Sequence, residues 1–242
     1  MSKVVLVTGS AKGLGAEIIK KFASCNYNVV INYNESVDAA KKLEEEIKNK
    51  YNVEVLTVKA NITNDIEIDN MFDQIKNKFG KLDVLVNNAA ISNDSLIDEK
   101  SRASFLEILN VNLVSAFMVI KKAKNIMDKG SIINISSTNA LDTYYPFSID
   151  YDASKAGLNS ITHNFAKEYA PNIRVNAIAC GWIDTDMNKN MDIEYRHSEE
   201  NKCMLKRFAK PNEIANVVYF VASDEASYIN NEIIRVDGGY NG

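Results

Sequence analysis

A tyrosine and a lysine stand four residues apart in the segment YDASKAG, as Tyr151 and Lys155. Residues at this spacing share one face of a helix, so the phenol and the ammonium would be neighbours. An isolated phenol ionises near pH ~10 and is a weak acid–base catalyst at neutral pH. A neighbouring ammonium favours the phenolate and lowers that pKa. The spacing therefore predicts a tyrosine general acid whose pKa is lowered by a lysine.

Other polar side chains stand where they would complete such a site. The segment GSIINISSTN ends a strand pattern with Ser136 and Ser137, and either hydroxyl could polarise a carbonyl oxygen. Asn112 lies among apolar residues in the helical pattern ILNVNLVSAF. A buried amide needs hydrogen-bond partners, so Asn112 is either part of the site or a satisfied structural amide.

Three glycines, Gly9, Gly13 and Gly15, crowd the segment TGSAKGLG directly after the apolar run VVLV. A strand, a glycine turn and a helix in this order aim the free amides of the helix N-terminus at a phosphate. Glycines permit the tight turn and the close approach of backbone to a pyrophosphate. A purely structural turn is the alternative. The place of the turn after the first strand favours a dinucleotide site.

The end of the second strand pattern, NVVINYNES, bears on the choice of dinucleotide. Enzymes that select NAD usually place a carboxylate there to bind the ribose 2′-hydroxyl. Here the tip is Asn32, Tyr33 and Asn34, and Lys12 adds a cation in the glycine turn. These residues favour NADP(H), whereas Glu35 could still favour NAD(H).

The elements that must hold these groups follow a regular alternation. Seven short, β-branched apolar segments alternate with helical patterns at 14–25, 36–50, 65–79, 101–128, 151–170 and 211–223. Continuous apolar strands, each followed by a helix, indicate a parallel sheet covered on both faces. We expect one α/β domain over residues 1–242, a doubly wound Rossmann fold of about seven strands. The irregular segment 184–208 is expected to be a mobile substrate loop, or else an ordinary surface insertion.

Composition narrows the function classes. The net charge of −4 gives no electrostatic reason to expect nucleic acid or an anionic membrane. No apolar run approaches a membrane span, and MSKVVLVTGS enters a strand directly, so a cytoplasmic location is expected. Cys25, Cys180 and Cys203 are odd in number and widely separated, which fits reduced thiols. His163 and His197 have no ligand-like neighbours, so no metal site is expected.

Taken together, the motifs resemble those of the short-chain dehydrogenase/reductase family, single-domain type. The matching pieces run from Lys3 to Gly239 in the family's order: TGSAKGLG, NNAA, NVNL, INISS, YDASK, RVNAIACGWIDTDM and VDGGY. The segment LKRFAKPNEIANVVYFVASDEASYI leading to VDGGY is most similar to the 3-oxoacyl-acyl-carrier-protein reductase group.

The resemblance implies a role for each matching residue. Tyr151 would protonate the substrate alkoxide, and Lys155 would lower the tyrosine pKa and hold the nicotinamide ribose. Ser137 would bind the substrate oxygen, and Asn112 would order a proton-relaying water. The implied cofactor-binding residues are Gly9, Ser10, Lys12, Gly13, Leu14, Gly15, Asn34, Asn61, Ile62, Asn88, Tyr151, Lys155, Ile183 and Thr185.

Two departures from the family pattern bear on these roles. Choosing Ser137 requires a one-residue insertion before Tyr151, although its strand context favours it over Ser136. Cys180 stands where the family usually has proline, most simply as a harmless variant and alternatively as a redox-active thiol.

The expected activity is NADPH-dependent reduction of a small or carrier-bound 3-oxoacyl thioester. The alternatives are a dehydrogenase of another small ketone, sugar or polyol, perhaps using NAD, and an NADP(H)-binding redox sensor without turnover. The resemblance also suggests a homotetramer, or a dimer, with the helices at 101–128 and 151–170 at one interface.

Overall fold

The computed structural model describes residues 2–143, 145–185, 188 and 191–241. Its centre is a single seven-stranded parallel sheet in the order β3-β2-β1-β4-β5-β6-β7. The strands, β1 to β7 in chain order, are Val4–Val7, Asn28–Tyr33, Val55–Lys59, Val84–Asn87, Gly130–Ser137, Ile173–Cys180 and Ile233–Val236. The expected fold class is confirmed.

Helices cover both faces of the sheet. In chain order, α1 to α8 are Gly13–Ser24, Val37–Lys50, Asp65–Phe79, Arg102–Leu109, Ser115–Ala123, Ile149–Tyr169, Ile193–Lys202 and Pro211–Ala222. Along β1, Val5 and Val7 face a core cluster formed with α1, α2 and α8. Val4 and Leu6 face the opposite cluster, formed with α3, α5 and α6. Because both faces are buried, every residue of β1 must be apolar, and the sequence there has no polar alternation.

The strand order places the functional crevice. The chain builds the sheet outward from β1 to β3, then returns to β4 on the other side of β1. At such a reversal the loops after the two neighbouring strands diverge and leave a crevice at their carboxyl ends. The glycine turn follows β1 and Asn88 follows β4, so both reach this crevice.

The helix expected at 101–128 is interrupted. Between α4 and α5 the backbone makes a π-helical turn at Asn110–Val114, and a 3-10 turn at Lys124–Ile126 ends the segment. Single π-turns within helices are frequent at functional sites.

The whole stretch Arg102–Ile126 is long and apolar enough to cross a membrane by length and composition alone, and 33% of its most apolar window is buried in the protein.

The segment expected to be irregular, 184–208, contains helix α7 (Ile193–Lys202). Asp192 caps it, because its carboxylate accepts hydrogen bonds from the amides of Glu194 and Tyr195. The sequence pattern did not predict this helix because the segment is charged and lacks a helical period. The helix is stabilised by its cap and by contacts with other parts of the chain. Asp186, Met187, Lys189 and Asn190 of the same segment lie outside the described residues.

Candidate active site

A cleft of about 1220 Å³ lies along the carboxyl ends of the strands. Among the residues expected in the site, it is lined by Gly9, Lys12, Gly13, Leu14, Gly15, Asn34, Asn61, Ile62, Asn88, Ser137, Tyr151, Lys155, Ile183 and Thr185. Ser10 and Asn112 are the two expected residues that do not line it. The fold thus brings the glycine turn and the Tyr151–Lys155 pair into one cavity.

The glycine turn forms an open cradle at the start of α1. Gly13 has φ +58°, and a Cβ added there would meet nothing within 4 Å. At Gly9, also with positive φ, an added Cβ would lie 2.9 Å from Cα of Ala89. At Gly15 an added Cβ would lie 2.8 Å from the Gly9 carbonyl oxygen. The turn is therefore closed against the protein and open towards the cleft, which fits a dinucleotide pyrophosphate.

Ser10 connects the glycine turn to the end of β2 through hydrogen bonds to Asn32. Its amide donates to the Asn32 carbonyl at 2.8 Å, and its hydroxyl accepts from the Asn32 amide at 3.1 Å. The Asn32 side chain in turn accepts from the Gly9 amide at 3.1 Å. Both Ser10 and Asn32 are buried. These contacts give Ser10 a structural role, and its placement does not support the expected direct contact with a cofactor.

Asn88 joins the end of β4 to the same turn. Its side-chain amide donates to the carbonyls of Thr8 at 2.9 Å and Gly9 at 3.2 Å. The Thr8 hydroxyl accepts from the backbone amides of Asn88 and Ala89. Thr8 was not among the expected site residues, although a threonine closing the first strand is the one signal that could have pointed to it.

Tyr151 and Lys155 lie on the first turns of α6. Lys155 is 2% exposed, and its ammonium donates to the Ile135 carbonyl at 2.8 Å. The Lys155 nitrogen lies 5.4 Å from the centroid of the Tyr151 ring. Burial lowers the pKa of Lys155 to about 8. The expected closeness of the two groups therefore exists, with the ammonium held beneath the ring.

The pKa of Tyr151 is shifted upward, opposite to the expected direction. Burial is the main cause, the Cys180 thiol adds to it, and an interaction with the Ser137 hydroxyl opposes it. Desolvation of the phenolate outweighs the hydrogen bond from Ser137 because the phenol is buried. The protein's own groups thus keep the phenol protonated at neutral pH, which is the state that a proton donor needs.

The two candidate serines end β5 side by side, but only one has a described link to the phenol. The Ser137 hydroxyl accepts from the Asn139 amide at 3.2 Å and interacts with Tyr151. The Ser136 hydroxyl is buried without a hydrogen-bond partner among the described residues. The geometry therefore favours Ser137 as the hydroxyl that shares a substrate oxygen with Tyr151.

Asn112 lies in the π-helical turn, and its side chain is fully occupied. Its carbonyl oxygen accepts from the Ile91 amide at 2.9 Å, while its amide nitrogen donates to the Ile91 carbonyl at 2.9 Å and the Ser154 hydroxyl at 3.1 Å. Ser154 also donates to the Tyr151 carbonyl at 2.6 Å. These contacts match the structural alternative for Asn112, and its water-ordering role stays a prediction.

Asp152 was missed by sequence reasoning, yet it holds the loop between the two catalytic candidates. Its carboxylate accepts from the Asn139 side chain at 2.8 Å, the Ser148 hydroxyl at 2.9 Å and the Tyr145 amide at 3.2 Å. The extra residue between Ser137 and Tyr151 was the available signal, because a longer loop needs an anchor to keep Ser137 in place.

Glu199 is a second residue that the sequence did not reveal. It is buried on α7 and accepts hydrogen bonds from the Trp182 indole at 3.0 Å, the Lys202 ammonium at 2.7 Å and the Tyr240 hydroxyl. Lys202 lies on the same helix, whereas Trp182 comes from the loop after β6 and Tyr240 from the C-terminal segment. A charged residue in a charged helix carries no sequence signal for such a contact.

Known proteins resemble the chain over nearly its full length. A family model described as Enoyl-(Acyl carrier protein) reductase matches residues 9–241. The 3-oxoacyl-[acyl-carrier-protein] reductase of Aquifex aeolicus is 41% identical over 241 residues, covering 98% of this chain and 96% of that protein. The reductase of the same name from Thermotoga maritima is 37% identical over 243 residues, covering 98% and 97%.

Solved structures agree with the sequence relatives. A short-chain dehydrogenase/reductase from Serratia marcescens superposes with a TM-score of 0.94 at 31% identity, covering 99% of this chain and 98% of that one. A dehydrogenase/reductase from Sinorhizobium meliloti superposes with a TM-score of 0.95 at 28% identity, covering 100% and 96%. The seven-stranded sheet is thus the fold of known dehydrogenases/reductases. The chain is an oxidoreductase of the short-chain dehydrogenase/reductase family.

Proposed function

We propose that the protein reduces a 3-oxoacyl thioester with NADPH, with Tyr151 as the proton donor. The observation that carries the proposal is the buried corner where the protonated Tyr151 phenol meets Ser137, with the Lys155 ammonium beneath the ring. This corner lies in the same cleft as the glycine cradle. The names of the curated relatives support the choice of substrate.

Each residue of the corner has a chemical task in this proposal. A reduced nicotinamide, when bound in the cleft, supplies a hydride to the carbonyl carbon. Tyr151 donates its phenolic proton to the carbonyl oxygen, which completes the alcohol. Ser137 donates a hydrogen bond to the same oxygen and stabilises its developing negative charge. Lys155 lies beneath the ring, where its positive charge favours the phenolate left after proton transfer.

The proposed preference for NADPH rests on the adenosine end of the cleft. Lys12 is exposed at the mouth of the cradle, and no carboxylate lies within 4.0 Å of its ammonium among the described residues. Asn34 lines the cleft beyond β2, with Glu35 beside it. A 2′-phosphate would meet the Lys12 cation, whereas Glu35 would repel it if its carboxylate turned inward. Binding of NADH instead is the alternative.

The proposed assembly is a homotetramer or dimer of single-domain subunits in the cytoplasm. Leu106, Val114 and Phe117 are 55%, 46% and 38% exposed along Arg102–Ile126. Exposed apolar side chains of this size along one segment suggest a covered surface. A second copy of the chain would bury them, as the resemblance implies for this helix and α6.

The test is NADPH oxidation by the purified protein with two four-carbon thioesters, acetoacetyl-CoA and crotonyl-CoA. The first presents a ketone and the second a carbon–carbon double bond, so they are matched in length and carrier. We expect turnover with acetoacetyl-CoA and a lower KM for NADPH than for NADH. Turnover of crotonyl-CoA instead would overturn the proposal in favour of the reaction in the family model's description.

Two further outcomes would also overturn the proposed 3-oxoacyl reductase function. If NADPH binds, as seen by its fluorescence, but no ketone, sugar or polyol is turned over, the redox-sensor alternative is favoured. If only sugars or polyols are oxidised, with NAD or NADP, the substrate assignment fails while hydride transfer remains.

A further inference from the structure

The cleft has two halves of different chemistry. Its dinucleotide half is lined in part by aliphatic residues, among them Leu14, Ile62 and Ile183. The half around Tyr151, which we call the substrate-side wall, is built by Asp94, Asn139, Tyr145, Tyr195, Glu199 and Tyr240. None of the described lining residues in 138–148 or 188–241 is aliphatic. Hydrogen-bonding groups therefore form this wall, whereas Ile91 and Val111 are aliphatic residues that line the cleft elsewhere.

The Glu199 carboxylate is a fixed part of this wall. It is 2% exposed, and its three donors come from Trp182, Lys202 and Tyr240. Burial alone would raise the pKa of Glu199, but these three hydrogen bonds outweigh it and lower the pKa. The group thus stays ionised at neutral pH. Because Glu199 is already shielded from water, the groups that an alkyl chain would desolvate are the half-buried Tyr145 and Tyr195 beside it.

Tyr145 and Tyr195 bring two phenols together in the same wall. Burial and a hydrogen-bonding interaction with Tyr145 raise the pKa of Tyr195, so its hydroxyl is neutral across the physiological range. A neutral phenol both donates and accepts hydrogen bonds. Tyr145 is attached to the catalytic turn, because its backbone amide donates to Asp152, next to Tyr151. Both phenols line the same cleft as Tyr151.

From this wall we infer that the enzyme takes a short 3-oxoacyl group, or one that ends in a hydrogen-bonding group, and that the described part of the wall offers no apolar tunnel for a long alkyl chain. The inference rests on the proposed function and names the substrate class of that site. A methylene buried in an apolar tunnel gains about fourfold in binding. A chain placed against the half-buried phenols gains none of this, because their hydroxyls would lose solvent.

The first experiment measures kcat/KM for 3-oxoacyl-CoA substrates of four, six and eight carbons. We expect values that stay level or fall as the chain lengthens. A rise of about tenfold or more for each added pair of carbons would overturn the inference and leave the proposed function intact. Absence of turnover with all three would overturn the proposed function and the inference with it.

A second comparison tests the wall directly, with six-carbon substrates that differ only by a terminal hydroxyl. We expect the hydroxylated 3-oxohexanoyl thioester to have a kcat/KM several-fold higher than the plain one. A preference for the plain chain would contradict the inference, and equal values would overturn its claim that the wall selects a terminal hydrogen-bonding group.

The double variant Tyr145→Phe, Tyr195→Phe removes both hydroxyls and keeps the ring volumes. We expect it to lose the preference for the hydroxylated substrate and to raise the eight-to-four-carbon ratio of kcat/KM several-fold. Tyr228→Phe is the matched control, because Tyr228 is fully exposed. Unchanged ratios in the double variant would show that these phenols do not select the substrate. Melting temperature checks that both proteins are folded.

Discussion

The Lys100 ammonium lies 2.9 Å and 3.0 Å from the two carboxylate oxygens of Asp150, and their side chains are only 4% and 0% exposed. Lys100 also donates to the Asn93 carbonyl at 2.7 Å, and Asp150 accepts from the Tyr151 amide at 2.9 Å. This buried ion pair connects the loop before α4 to the residue that precedes Tyr151, the proposed proton donor.

Breaking the pair on one side should destabilise the fold strongly. Lys100→Met leaves an unpaired buried carboxylate, and we expect the free energy of unfolding to fall by about 3–5 kcal/mol. The double variant Lys100→Met, Asp150→Asn removes both charges and should recover most of this loss. Urea unfolding of the wild type, both single variants and the double variant measures the coupling. A loss below ~1 kcal/mol in Lys100→Met would show that the pair is not structurally important.

The buried Lys155 should make stability depend on pH. Its folded pKa of about 8 is below its ordinary value, so the unfolded chain binds more protons between these two values. Stability contributed by this group therefore rises with pH from about 8 to 10.5. Relative to Lys155→Met, we expect the wild type to gain roughly 3 kcal/mol over that window.

Urea unfolding of the two proteins across this pH range tests the expectation. Taking their difference removes the titrations that both proteins share, and the variant Cys180→Ala in both backgrounds removes that of Cys180, whose pKa burial raises and the Lys155 charge lowers. Parallel stability profiles would mean that Lys155 is not desolvated as the structure indicates.

Tyr151→Phe should abolish proton donation without disturbing the cleft. We expect kcat for thioester reduction to fall by about 10²–10⁴. The dissociation constant for NADPH should stay within about threefold, because the ring and its packing are retained. Stopped-flow turnover and fluorescence titration measure the two quantities separately. Retained turnover would remove Tyr151 from the mechanism.

Asp152 should position Ser137 and also shape the titration of Tyr151. In Asp152→Ala the Asn139 side chain loses its acceptor, and we expect kcat to fall about tenfold with unchanged NADPH affinity. The Asp152 charge raises the pKa of Tyr151, so Asp152→Asn should lower it. The loss of reductase activity at high pH would then begin at a lower pH. If the pH profile of reductase activity does not shift in Asp152→Asn, the Asp152 charge does not raise the pKa of Tyr151.

Lys12 should discriminate between the two cofactors. Lys12→Ala removes a charge-assisted contact to a 2′-phosphate, and we expect KM for NADPH to rise about tenfold while KM for NADH stays constant. Lys41→Ala, an exposed lysine on α2 that does not line the cleft, is the matched control. Equal effects on both cofactors would disprove a specific role for Lys12 in phosphate binding.

Local sequence determined the fold and the position of the cleft. Strand β1 is buried on both faces, and only an unbroken apolar run such as VVLV can occupy it. The glycine turn and the Tyr151–Lys155 spacing are also local features, since neighbouring backbone conformation and helical periodicity place them. For this reason the resemblance and the sheet architecture were predictable, and both are confirmed.

Contacts between segments far apart in the chain determine the ion pairs, hydrogen bonds and pKa shifts that the sequence did not predict. Lys100 and Asp150 are 50 residues apart, and Glu199 and Tyr240 are 41 apart, so neither pairing is visible in a local pattern. The upward pKa shift of Tyr151 and the structural role of Ser10 depend on burial and on partners from other strands. Desolvation and long-range hydrogen bonding exist only once the chain is packed, and tertiary structure alone sets them.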